Sequence, residues 1–161
     1  MDISPLELAA QVGILLRRQG LFLVTAESCT GGWIAKVISD IPGSSAWFER
    51  GLIVYSDAAK QELLNVSKTT LAQFGAVSAE TVAEMALGAL HHSHAQMAVA
   101  VSGVAGPGGG SPAKPVGTVY LAWALGDNII TRRTEFSGDR NLIRQQAVNA
   151  ALQGILDVFG E

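Results

Sequence analysis

Ser28 is the residue of this sequence best placed to act as a nucleophile. It lies in the segment 27–32 (ESCTGG), between a short apolar run and a helix-like stretch. At the start of such a helix, the unpaired main-chain N–H groups of Thr30, Gly31 and Gly32 can stabilise an oxyanion, and the paired glycines let a substrate approach the backbone. Ser28 or Thr30 can equally well be a simple helix cap. Position in the chain therefore leaves both interpretations open.

A serine nucleophile needs a general base, and histidine is the usual one. All three histidines fall within 91–94, at the end of a predicted helix, where a solvated helix end explains them better. Lys60 is the alternative, because burial can lower the pKa of a lysine until its neutral amine accepts a proton. It follows Tyr55 by five residues, in a segment that passes from a strand end into a helix. The competing interpretation is a surface lysine beside a core tyrosine, since lysines are mostly exposed.

Cys29, next to Ser28, is a rival nucleophile because a thiol at a helix start has a lowered pKa. No histidine is near it in the sequence to complete a Cys-His pair, so serine is favoured. No metal site is predicted, because the three histidines lack a carboxylate at helical i, i+4 spacing.

Two features could hold an anionic part of a substrate. The loop from Gly103 to Gly110 is rich enough in glycine to surround an anion with main-chain N–H groups, although it matches neither the Walker pattern nor a dinucleotide fingerprint. Arg140 and Arg144 are four residues apart on the last predicted helix and share one face, where they could hold a phosphate. A flexible surface loop and solvated helix charges are the competing interpretations.

Hydrophobic periodicity and capping signals place these residues on alternating helices and strands. Ser4, with Glu7 three residues later, predicts a capped helix that ends at Gly20. Strands are predicted at 21–25, 47–55 and 97–101, with a hairpin of 117–125 and 129–136 joined at 126–128. Further helices are predicted at 33–38, from Ser56 or Asp57 through Leu64, from Ser78 through Leu90, and from Asp139 through Ile155. The alternation predicts one three-layer α/β/α domain, residues 1–161, with a mixed sheet.

Composition limits the class of protein. With 161 residues, 48% of them apolar, the chain can bury a sizeable core as one domain. A charged fraction of 16%, a net charge of −3 and the absence of a dense basic patch disfavour nucleic-acid binding. We read no export signal, and the apolar runs fall far short of the roughly 20 residues that span a bilayer, so no membrane association is expected. A single cysteine fits a reducing compartment, which favours a cytoplasmic location.

Several ordered motifs, taken together, resemble the CinA C-terminal domain family. They are residues 25–32 (TAESCTGG), 41–45 (IPGSS), 55–60 (YSDAAK), 103–109 (GVAGPGG) and 114–119 (KPVGTV). The resemblance spans most of the chain and implies deamidation of nicotinamide mononucleotide to nicotinate mononucleotide and ammonia, in pyridine-nucleotide salvage. It implies no metal or organic cofactor.

The resemblance also implies roles for individual residues. Ser28 is then the nucleophile, with Lys60 and Tyr55 as its proton-transfer partners. Main-chain N–H groups near Thr30 and Gly31 would hold the oxyanion. We assign the phosphate to the loop that contains Gly103, Ala105 and Gly106, and to Arg140.

One position departs from the family pattern. Where Tyr-Ser-Asn is expected before the lysine, this sequence has Asp57, whose negative charge would tend to keep Lys60 protonated. The alternative function is therefore a catalytically inactive nucleotide-binding or regulatory module. A homodimer is a further expectation, with Trp33, Trp47 and Phe48 as candidate contact residues, although a buried core explains those three as well.

Overall fold

The computed structural model describes residues 3–160, which form a five-stranded sheet with six helices. The elements in chain order are α1 (Pro5–Gln19), β1 (Leu23–Glu27), α2 (Trp33–Ser39), β2 (Phe48–Ile53), α3 (Asp57–Leu64), α4 (Lys68–Phe74), α5 (Ala79–His91), β3 (Met97–Gly103), β4 (Thr118–Leu125), β5 (Asn128–Glu135) and α6 (Arg140–Val158). The helix starts follow the predicted signals: Ser4 and Glu7 form a capping box, and Asp139 caps α6.

The sheet is mixed, as predicted. Its strand order is β2-β1-β3-β4-β5; β1 runs parallel to both β2 and β3, and the pairs β3–β4 and β4–β5 are antiparallel. Because the three parallel strands end at the same edge, the segments that follow β1, β2 and β3 are brought together there. Glu27 at the end of β1 pairs with Ile53 on one side and with Val101 on the other.

Helices cover both faces of the sheet, which confirms the three-layer prediction. Helices α1, α2 and α6 pack on one face, where Leu16 and Leu152 meet Val99 of β3 in one core cluster. Helices α3, α4 and α5 pack on the other face with residues such as Leu64 and Met85. The alternation of side chains along each strand supplies both cores.

The boundaries of β1 differ from the prediction in a way that matters for the site. The strand was expected at 21–25 but runs from Leu23 to Glu27. The N–H of Leu21 instead donates to the carbonyl of Leu16 and closes the end of α1, over a distance of 3.0 Å. The shift places Glu27 inside the sheet rather than in the loop that follows.

Two other elements were missed or misjudged. Helix α4 was not predicted because it has only seven residues and a single buried one, Leu71, which leaves no periodic pattern to detect. Strand β2 lies at an edge of the sheet and ends at Ile53, so it is shorter than the predicted 47–55.

The aromatic residues expected at a dimer contact belong largely to the core. Trp47 is only 2% exposed and packs over Gly13 of α1, while Trp33 and Phe48 are partly buried against the same core. Within residues 3–160, no helix combines the length and apolar character required to cross a membrane.

A glycine-to-alanine substitution at Gly88 tests how tightly α5 packs on α3. In a helix interior this change ordinarily stabilises by roughly 1 kcal/mol, but here the added methyl group would overlap the main-chain carbonyl of Leu64. We therefore expect Gly88→Ala to lower the free energy of unfolding by about 1–3 kcal/mol in urea denaturation. The control is Gly108→Ala, where the new methyl group meets open space and a change below about 0.5 kcal/mol is expected. A Gly88→Ala protein as stable as the unmodified one would contradict this packing.

Candidate active site

Ser28 and Lys60 meet at the carboxyl edge of the sheet. The N–H of Ser28 donates to the carbonyl of Val101 over 3.0 Å, which fixes the loop after β1 against β3. Ser56 caps α3 through the N–H of Ala59, and this aims the first turn of the helix at that loop. Lys60 Nζ then lies 3.0 Å from Ser28 Oγ.

The amine of Lys60 is almost completely buried. Lys60 is only 1% exposed, and its Nζ also donates to the main-chain carbonyl of Tyr55 over 3.0 Å. Burial lowers the pKa of Lys60 from its ordinary value of 10.5, while the nearby Asp57 carboxylate acts in the opposite direction. The ion pairs formed among residues 3–160 do not include Lys60. Burial therefore makes the neutral amine of Lys60 easier to reach than that of an exposed lysine.

Tyr55 contacts this pair through its backbone rather than through its phenol. Its carbonyl accepts from Lys60 Nζ and also lies 3.4 Å from Ser28 Oγ. The side chain is 63% exposed, and its hydroxyl accepts from Arg140 Nη2 over 3.3 Å. The contact of Tyr55 with Ser28 and Lys60 is therefore a main-chain one, which the sequence pattern alone did not indicate.

A cavity of about 230 Å³ opens in front of Ser28 and Lys60. Its wall includes most of the residues that the sequence analysis singled out, together with some that it did not: Ser28, Cys29, Tyr55, Asp57, Lys60, Ala76, Val77, Ser102, Gly103, Ala105 and Arg140. Gly106 contributes indirectly, because its carbonyl accepts from Arg140 Nη1 over 2.7 Å and fixes that guanidinium at the cavity.

The expected oxyanion donors are arranged differently from the prediction. Thr30, Gly31 and Gly32 line a neighbouring cavity of about 290 Å³ instead of the one at Ser28. The N–H of Gly31 is already used, since it donates to the carbonyl of Ser28 over 3.1 Å, and that of Gly32 is directed to the Glu27 carboxylate. Of these three N–H groups, only that of Thr30 has no acceptor within the described part of the chain.

Arg144 holds the same loop from the side of α6. Its guanidinium donates to the carbonyls of Cys29 (3.0 Å) and Thr30 (3.2 Å) and lies over the ring of Trp33. Of the two arginines that were predicted to share a helix face, Arg140 therefore reaches the Ser28 cavity and Arg144 supports the loop after β1.

Glu27 is a residue of the site that sequence reasoning missed. It is 1% exposed, and its carboxylate accepts from the hydroxyl of Thr30 (2.6 Å) and from the N–H groups of Ile34 (2.8 Å) and Ala35 (3.1 Å). Burial raises its pKa, and these hydrogen bonds oppose the rise. The sequence did contain a signal for Glu27, which is an acidic residue directly before Ser28. It was overlooked because the predicted end of β1 lies two residues before the observed one.

Ser102 was missed for a related reason. It lies on β3, which continues to Gly103 beyond the predicted end at Val101, and it is 1% exposed on the cavity wall. The longer strand therefore adds a hydroxyl to the cavity beside Ser28.

Cys29 lacks the properties of a reactive thiol. It is 7% exposed, and burial raises the pKa of its thiol to about 11. The thiol is consequently protonated at neutral pH, and a protonated thiol is a poor nucleophile.

The histidines do not approach the cavity wall. His91 ends α5 and His92 follows as its C-terminal cap, where its ring lies 3.1 Å from the amide of Asn65. Across residues 3–160, no group of three or more histidine, cysteine or acidic side chains is arranged to hold a metal ion.

A serine and a buried lysine that share a cavity at the carboxyl edge of an α/β sheet make the arrangement that a serine nucleophile with a lysine base requires. The chain belongs to the CinA C-terminal domain family, whose model matches residues 6–159. The resemblance inferred from the motifs is thereby confirmed.

Similar proteins match this chain over almost its whole length. The nicotinamide-nucleotide amidohydrolase PncC of Escherichia coli is 54% identical over 160 residues, which cover 98% of this chain and 96% of that protein. The protein of the same name from Pseudomonas putida is 54% identical over 154 residues, with 96% of each chain covered. Among solved structures, the competence/damage inducible protein CihA from Agrobacterium tumefaciens superposes with a TM-score of 0.94 at 42% identity over 99% of both chains.

Substitution of Glu27 tests what holds the loop that contains Ser28. Glu27→Gln keeps the shape of the side chain but replaces one acceptor oxygen by an NH₂ group that must face N–H or O–H donors. We expect a loss of about 1–3 kcal/mol in the free energy of unfolding, measured by urea denaturation.

The matched control is Glu62→Gln on the exposed side of α3, for which a change below about 0.5 kcal/mol is expected. Equal stability of the Glu27 and Glu62 variants would contradict the role given to the Glu27 carboxylate.

Proposed function

We propose that this chain is a nicotinamide-nucleotide amidohydrolase that converts nicotinamide mononucleotide to nicotinate mononucleotide and ammonia. The observation that carries the proposal is the distance of 3.0 Å between Lys60 Nζ and Ser28 Oγ inside a cavity. The name shared by the relatives that are 54% identical over nearly the full chain supports the choice of substrate.

In the first half of the reaction, neutral Lys60 accepts the proton of the Ser28 hydroxyl while Oγ bonds to the carboxamide carbon. The resulting tetrahedral carbon bears a negatively charged oxygen. When this carbon collapses, its bond to nitrogen breaks, the nitrogen takes the proton from Lys60, and ammonia leaves. Ser28 then holds the nicotinate group as an ester.

In the second half, water replaces ammonia. Lys60, neutral again, accepts a proton from the water as its oxygen attacks the ester carbon. Collapse of this second tetrahedral carbon returns the proton from Lys60 to Ser28 Oγ and releases the carboxylic acid, which gives its own proton to solvent water and becomes the carboxylate product. These steps need no metal or organic cofactor, because every proton moves between Lys60, Ser28, water and the leaving nitrogen.

We assign three other residues of the cavity wall to binding of the nucleotide. Arg140, fixed by the carbonyl of Gly106, supplies a cation for the phosphate, and Gly103 and Ala105 line the wall next to it. The assignment of the oxyanion to the Thr30 N–H stays a prediction from the sequence, because Thr30 lines the neighbouring cavity and not the one at Ser28. Tyr55 contributes its carbonyl, which orients the amine of Lys60, and its hydroxyl, which supports Arg140.

We further propose that the CinA C-terminal-like domain works in the cytoplasm on this small molecule. The single buried cysteine fits a reducing compartment, and the low charged fraction gives no footprint for nucleic acid.

Ammonia release from nicotinamide mononucleotide, with a chelator present, tests the proposal. We expect Ser28→Ala and Lys60→Met each to lower kcat by at least roughly a thousandfold, and the double variant to lose little more, because the two residues act as one unit. The control is Lys68→Met, which removes an exposed lysine at the start of α4 and should leave kcat within about twofold.

Turnover by Ser28→Ala at the rate of the unmodified protein would contradict the mechanism. Binding of nicotinamide mononucleotide without any ammonia release by the unmodified protein would contradict the enzyme and favour a nucleotide-binding module.

A further inference from the structure

We propose that Asp57 makes the cavity selective for a nucleotide whose pyridine ring carries a positive charge, so that the oxidised ring is bound in preference to the neutral dihydro ring. This inference rests on the proposed function, because it specifies which form of a nicotinamide nucleotide the site accepts.

The position of Asp57 makes its carboxylate available to a ligand. Asp57 is the first residue of α3 and lies on the wall of the cavity that contains Ser28 and Lys60. It is exposed, and its side chain takes part in none of the hydrogen bonds or ion pairs found within residues 3–160. Its main-chain carbonyl accepts from Nε2 of Gln61 over 3.4 Å.

Opposite charges lie on different parts of the same wall. Arg140 reaches the cavity from α6 and is fixed by the carbonyl of Gly106 and the hydroxyl of Tyr55. Asp57 reaches it from α3. Nicotinamide mononucleotide also has two opposite charges, a phosphate and a pyridinium ring. Since Asp57 would repel the phosphate and attract the ring, the complementary orientation places the phosphate at Arg140 and the ring on the side of Asp57.

The chemistry at Ser28 independently places the ring near Asp57. Attack requires the carboxamide carbon to lie roughly 3–3.5 Å from Oγ, and this carbon is bonded directly to the ring. The ring must therefore lie beside Ser28 and Lys60. Asp57 and Lys60 line the same cavity, so a ring bound there lies in the field of the Asp57 carboxylate.

A positively charged ring beside Asp57 would also offset the effect of this carboxylate on the pKa of Lys60, the proposed general base. In the empty site the Asp57 carboxylate favours the protonated form of Lys60. A pyridinium ring bound beside it brings a positive charge that offsets the carboxylate, and this lowers the pKa of Lys60 when substrate is present. A neutral dihydro ring lacks the charge and gains neither effect.

The test compares binding of oxidised and reduced nicotinamide mononucleotide by titration calorimetry. Ser28→Ala protein serves as the parent, so that the oxidised ligand is not consumed during the titration. We expect Asp57→Asn in this background to weaken binding of the oxidised ligand roughly threefold to fivefold. Binding of the reduced ligand should stay within about twofold. Glu62→Gln, which removes an exposed acid from the same helix outside the cavity, should change neither dissociation constant.

Two results would overturn the inference. Equal weakening of both ligands would mean that Asp57 contacts the ribose or another part that the two share, and no change in either would mean that Asp57 contacts no part of the ligand. The proposed function is judged separately, by ammonia release from the unmodified protein. Selective binding of the oxidised ring without ammonia release would contradict the amidohydrolase and leave the ring selectivity standing.

Discussion

The burial of the Lys60 amine is the constraint on which the rest of this structure depends. A lysine in water is protonated at neutral pH and cannot accept the Ser28 proton, whereas a buried amine loses the solvation that stabilises its charge. Lys60 is buried, and within residues 3–160 its amine has two hydrogen-bonding neighbours, the Ser28 hydroxyl and the Tyr55 carbonyl. No carboxylate is paired with it within residues 3–160, and such a pair would restore the charge.

The fold supplies this burial at the edge where its parallel strands end. The loop after β1 presents Ser28, and the first turn of α3 after β2 presents Lys60. Two charged side chains hold this loop. The Glu27 carboxylate accepts from the hydroxyl of Thr30 and from N–H groups at the start of α2. The Arg144 guanidinium donates to two carbonyls of the loop. Charged side chains that make no hydrogen bond to the Ser28 side chain thus keep the backbone of its loop in place.

The sequence predicted the parts of this arrangement that depend on local signals. The mixed three-layer fold followed from alternating apolar runs and caps such as Ser4 and Asp139, and the motifs around Ser28 and Lys60 indicated the family. Contacts between distant segments could not be predicted in this way. The way the loops fold back on the sheet decides whether Tyr55 contributes its phenol or its carbonyl. It also decides whether the N–H group of Gly31 stays free.

The protonation state of Lys60 tests most directly whether this residue can be the general base. Nuclear magnetic resonance of protein with ¹³C-labelled lysine side chains can follow the Cε signal of Lys60 through a pH titration, and Lys60→Met protein identifies the signal. Burial predicts a midpoint below the ordinary lysine pKa of 10.5, and the exposed lysines provide the internal reference. A midpoint at or above that of the exposed lysines would contradict the assignment of Lys60 as the general base.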